Sequence, residues 1–187
     1  MKNSILLFLS LILMSCGSTQ KKQAIEEPLP VTVKVGQQEL VKQGEGFRIG
    51  SKMGFTAKVY KIGFYTDKKY SNASDILDSN KTKHLYMRFT YTVTKGQLTD
   101  GWKKAYEHSC IKKCDETKQY LNQFLEASSG MKIGEVMEIT FTDKGLELNI
   151  HKIGKVFIAS PEFSYNLMAV FIGPKVLDEK FKKDLMD

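Results

Sequence analysis

Hydrophobic and polar positions change period several times along this chain, and each change predicts an element. From Phe55 to Tyr65 they alternate: Tyr60, Ile62 and Phe64 fall on one side, Val59, Lys61 and Tyr65 on the other, with Gly63 between. A period of two marks a half-buried strand. Lys83 to Tyr91 repeats it, with Leu85, Met87, Phe89 and Tyr91 set against His84, Tyr86, Arg88 and Thr90. Val31 to Val41 predicts one or two short strands broken at Gly36, and Ser71 to Asn80 a short helix. From Thr94 the period turns helical: Leu98, Trp102, Ala105 and Ser109 recur at steps of three and four. A second helix runs from about Asp115 to Glu126 and stops at Ser128-Ser129-Gly130. Val136 to Thr142 and Leu146 to Ile150 form a hairpin about Asp143-Lys144-Gly145, and Lys155 to Ala159 a further strand. Pro161 opens a helix reaching Phe171 that is apolar on almost every side and so belongs inside. Asp178 to Met186 is amphipathic. Strands, helices, a hairpin and helices again predict an α+β fold, an antiparallel sheet with helices on one face.

The first 30 residues follow other rules. Lys2 and the apolar run Ile5 to Met14 make a targeting segment, too short for a permanent span. Leu13-Met14-Ser15-Cys16 resembles a bacterial lipobox, so residues 1–15 are expected to be removed and Cys16 acylated. Residues 16–30 lack apolar periodicity and predict a flexible tether. The domain is placed at 31–187. By analogy with lipoprotein sorting, Gly17 rather than Asp after the cysteine implies the outer membrane, at its periplasmic face, if the cell has one.

Composition refines this picture in two places. The net charge of +7 comes from lysines spread along the chain, and no nucleic-acid motif accompanies them. Yet of the 28 basic residues only Arg48 and Arg88 are arginine. Arginine offers a rigid planar fork for carboxylate oxygens where lysine offers a point charge. An ion pair within the protein would favour arginine equally, so both readings of Arg48 stand. Gly44 and Gly46, just before it, predict a turn.

Cys110 and Cys114 lie between two predicted helices, and an exported chain favours a structural disulfide there. His84, His108 and His151 are scattered and match no metal or triad spacing, so neither a metal nor a cofactor is expected.

The order Gly44-x-Gly46-x-Arg48, then Val59-Tyr60-x-x-Gly63-x-Tyr65, resembles the chalcone isomerase-like proteins in their bacterial branch. Trp102 on its helix, and two last helices separated by Gly173-Pro174, extend the resemblance over about residues 38–187. It implies an open-faced sandwich. It also implies a site at Arg48 and Tyr60, with Ser164 matching a hydroxyl on the penultimate helix. Two further polar residues of the plant enzymes fall on Leu98 and Ala105, which argues against ring closure of a chalcone. Non-catalytic relatives hold a fatty acid, and Ile62, Phe64, Leu98, Trp102, Phe163 and Leu167 are expected to line such a pocket. Three readings follow: a binding module for an amphipathic carboxylate, an isomerase or intramolecular lyase using Arg48 and Tyr60, and a structural or partner-binding envelope protein.

Overall fold

The computed structural model describes residues 27–52, 55–151 and 153–187. Cys16, the targeting segment and most of the expected tether lie outside them.

Seven strands form one antiparallel sheet in sequence order: β1 (Thr32–Val35), β2 (Gln38–Lys52), β3 (Phe55–Thr66), β4 (Lys83–Phe89), β5 (Val136–Thr142), β6 (Gly145–Ile150) and β7 (Gly154–Ile158). Among the described residues five helices complete it: α1 (Ala73–Asp78), α2 (Lys95–Ser109), α3 (Cys114–Ala127), α4 (Pro161–Ile172) and α5 (Glu179–Met186). The α+β class and antiparallel sheet are as the periodicities predict.

The core is the layer between sheet and helices. Ile62, Phe64, Leu85, Met87, Met137, Ile139 and Leu148 come from the strands, and Phe124, Phe163, Leu167 and Phe171 from the helices. The near-apolar α4 buries eight of its residues, as a helix hydrophobic on most sides must. Pro161 stands in its first turn, and the Ser160 side chain caps it by accepting from Phe163 N. Thr94 and Gln97 form a reciprocal capping box on α2.

The glycine pair is the first correction. Gly44 and Gly46 do not make a turn; they lie inside the fifteen-residue strand β2, which pairs with β3 through two irregularities, between Lys42 and Gly44 and between Arg48 and Ile49. What needs glycine here is close approach. A Cβ on Gly44 would stand 2.5 Å from the backbone carbonyl of Leu185, and one on Gly46 would stand 3.1 Å from Asp184 Cβ. The missing side chains let α5 lie directly on β2. Gln43 fixes the end of that contact: its buried amide donates to Met186 O and Tyr70 O and accepts from Tyr70 N.

The tether is the second. Leu29 is buried at 2% exposure. Its carbonyl accepts from Lys42 Nζ, and Pro30 O accepts from Tyr65 Oη at 2.9 Å. The last residues of the expected tether therefore pack on the sheet, because one leucine with two satisfied carbonyls suffices to dock a short extended segment.

Candidate functional site

A cleft of about 1150 Å³ opens between the β2–β3 end of the sheet and helices α2, α4 and α5. Three of its polar side chains converge from three elements, while Thr56, Gln97 and Lys104 also line it. Arg48 on β2 and Tyr60 on β3 are register partners, so each strand places one of them. Asp178, the N-cap of α5, is the third.

Arg48 Nη1 donates to Asp178 Oδ2 at 3.2 Å, across 130 residues of chain. The other carboxylate oxygen of Asp178 accepts from Phe181 N at 2.9 Å, which caps α5. One carboxylate thus fixes both a helix start and an arginine. Both side chains of the pair are about 30% exposed (31% and 29%), so the pair belongs to a cleft wall and not to a dry core. Asp178 occupies a single nitrogen of a guanidinium that carries five N–H donors. Tyr60 is buried at 8% exposure, against Phe89 and Phe181. Burial pushes its hydroxyl up to about 12, with the positive charge of Arg48 opposing that rise. It therefore keeps its proton at neutral pH and can donate.

Most of the remaining lining is apolar. Leu98, Trp102 and Ala105 come from α2, Val170 and Phe171 from α4, and Phe181 from α5. Trp102 packs edge-on against Phe124 and Phe171, and its Nε1 is buried without a partner among the described residues. Lys104, exposed on α2, stands at the opening.

Of the residues expected at the site, Arg48, Tyr60, Leu98 and Trp102 meet in the cleft, and Leu98 and Ala105 both line it without offering a hydrogen-bonding side chain. Ile62, Phe64, Phe163 and Leu167 do not line it. They share a sheet face or helix with cleft residues but sit deeper, fully enclosed in the core. Ser164 is also elsewhere: it is buried and donates to Gly145 O at 3.1 Å, which ties α4 to the β5–β6 hairpin. Cys110 and Cys114 are joined, with Cα atoms 5.9 Å apart, at the junction of α2 and α3.

Sequence reading missed Asp178, whose role needs a fold to bring it to Arg48. It also missed Asn166. This fully buried amide on α4 accepts from Ile111 N and Lys112 N and donates to Lys112 O, so it holds the loop that the disulfide spans. A lone asparagine in an apolar helix was the available signal. Among the described residues no cluster of three histidine, cysteine or acidic side chains is placed to hold a metal.

A family profile described as chalcone isomerase-like matches residues 22–187. The chain belongs to the chalcone isomerase-like family. No curated protein sequence matches it. Among solved structures, a fatty-acid binding protein of Arabidopsis thaliana shares the fold, with a TM-score of 0.65 and 15% identity over 84% of this chain and 90% of that one. At this identity the likeness is one of architecture, and it accounts for the sheet-and-helix frame that a chalcone isomerase-like domain builds around its cleft.

Proposed function

We propose that this chalcone isomerase-like domain is a non-catalytic binding protein for a fatty acid or a similar amphipathic carboxylate. One observation carries the reading: a partly engaged arginine stands in a largely apolar cleft. The ligand carboxylate takes the guanidinium donors that Asp178 leaves, and the Tyr60 hydroxyl adds a second donor. The alkyl chain lies along Leu98, Trp102, Val170 and Phe171. The volume is that of a small-molecule site, which disfavours a purely structural role with a collapsed pocket. The fold shared with a fatty-acid binding protein supports the same reading. Oxyanion chemistry needs several converging donors, and Leu98 and Ala105 supply none, which weighs against an isomerase.

The same proposal places the protein in a bacterial envelope, of the family's bacterial lipoprotein form, held by acyl chains on Cys16 at the periplasmic face of the outer membrane. The order Leu13-Met14-Ser15-Cys16 motivates this, and two or more acyl chains anchor stably. Cys16→Ser is expected to move the protein from the membrane to the soluble fraction. Protein that is soluble from the start and retains Met1 would remove the anchor.

The test of the ligand is thermal shift with medium- and long-chain fatty acids. Wild type should gain stability, Arg48→Lys should gain clearly less because the fork is lost, and Arg48→Met should gain nothing. Equal shifts in all three would take Arg48 out of the site. Turnover of chalcones well above background would restore the isomerase reading.

A further inference from the structure

The rim of the cleft carries information that its interior does not. Nine large apolar side chains are exposed among the described residues, and three of them line this one cleft: Ile49 at 41%, Tyr91 at 52% and Leu177 at 40%. They come from three separate places, β2, the segment after β4 and the segment before α5. Each is held. Tyr91 N donates to Val59 O, Ile49 is paired with Lys58 in the sheet, and Leu177 precedes the Asp178 that is fixed by both Arg48 and the α5 cap. An apolar rim that is continuous with a largely apolar interior is an unusual use of surface.

The charge beside this rim has a sign. Arg48 is offset by Asp178, while Lys104 stands exposed at the opening, so the cleft carries one positive charge in excess. The whole chain carries +7. Exposed apolar side chains beside a lysine, on a face with a net positive charge, fit the boundary between headgroups and acyl chains of an anionic bilayer.

We propose that the mouth of the cleft is a membrane-docking surface, and that Ile49, Tyr91 and Leu177 enter an anionic bilayer so that the cleft loads directly from the lipid phase. Docking in this orientation would spare an alkyl chain any passage through water, where each exposed methylene costs about 0.8 kcal/mol. The proposal rests on the ligand reading above for its purpose, but its test is read without any fatty acid, so the two can fail separately.

The mature chain, without residues 1–15 and carrying Cys16→Ser so that it cannot be acylated, is mixed with vesicles of phosphatidylcholine alone or with phosphatidylglycerol added, and sedimented. Binding to the anionic vesicles is expected, weakened by salt. The triple variant I49S/Y91S/L177S should bind about tenfold more weakly, as lost insertion of three apolar side chains requires at least. Because these side chains are already exposed, its melting temperature should stay close to that of the parent. As an independent measure, an environment-sensitive dye on Leu177→Cys should shift to the blue on anionic vesicles, while the same dye on Lys118→Cys, out on α3, should not. No vesicle binding by the parent, equal binding by the triple variant, or a dye response at position 118 in place of 177 would each overturn the proposal.

Discussion

At the scale of single residues, the site turns on how one arginine is shared. On the proposed reading Asp178 competes with the ligand carboxylate for Arg48, while its second oxygen caps α5. Asparagine caps helices as well as aspartate does. Asp178→Asn should therefore keep α5 in place and remove a negative charge close to the bound head. Opposite or like charges at such a distance interact by up to about 3 kcal/mol at an effective dielectric near 20, and partial exposure reduces that to about 1 kcal/mol. Fatty-acid affinity is expected to rise about fivefold, measured by titration calorimetry. A fall in affinity would mean that Asp178 orients Arg48 and does not oppose the ligand. The same pair bears on Arg48→Met. That change leaves Asp178 without its cation, but the carboxylate keeps its cap and some water, so stability should stay near the wild-type value. Arg48 was legible in the sequence because arginine is rare here. Asp178 was not, because a pairing across 130 residues leaves no local trace.

At the scale of elements, β2 and α5 make the contact on which the cleft depends. α5 supplies Phe181 and the Asp178 cap to the cleft, and it reaches them by lying on Gly44 and Gly46. Gly44→Ala puts a methyl where the backbone of Leu185 already is, so helix or strand must move. Overpacking of this kind costs about 1–3 kcal/mol. Denaturant unfolding should show that loss, and fatty-acid binding should weaken with it. Gly96→Ala, on α2 with open space where its Cβ would stand and outside the cleft lining, should do neither. The junction between α2 and α3 is held twice, by the Cys110–Cys114 bond and by Asn166. Losing the disulfide through paired serine substitutions should cost about 2 kcal/mol, with the cleft left intact because it lies away from that loop. Element order was readable wherever the period ran for seven or more residues, as in β3, β4, α2 and α4. The glycines of β2 were misread because a Gly-x-Gly looks the same whether the backbone turns there or another element rests on it. Ile62 and Phe64 were placed on the correct face, but parity fixes a face and says nothing of position along it. The cleft occupies only the Tyr60 end.

At the scale of the molecule, burial of ionisable groups in both faces of the sheet sets how stability responds to pH. Lys83, only 8% exposed at the start of β4, donates to Ser79 O, and burial pulls its ammonium down to about 8 although Asp67 and Asp78 oppose the shift. Tyr60 is pushed up to about 12, and burial raises Tyr65 as well. An unfolded lysine titrates near 10.4 and an unfolded tyrosine near 10. Between about pH 8 and 10 the unfolded chain holds a proton on Lys83 that the folded chain has released, so stability rises with pH. Above about 10 the sign reverses: the unfolded chain loses its tyrosine protons first, and the stability that neutral Tyr60 and Tyr65 contribute is lost as pH climbs through 12. The expected profile is a maximum near pH 10, with a gain on the order of 2 kcal/mol over neutral pH. Denaturation midpoints at pH 7.5, 9.5 and 11.5 on the Cys16→Ser chain measure it. Lys83→Met should remove the rise and leave the alkaline fall. Tyr60→Phe should reduce the fall and leave the rise, since Phe fills the same place against Phe89 and Phe181 without a proton to lose. A wild-type curve that is flat from pH 7.5 to 9.5 would mean that the Lys83 ammonium reaches water past Ser79. The short segment around it would then be more open than its burial implies.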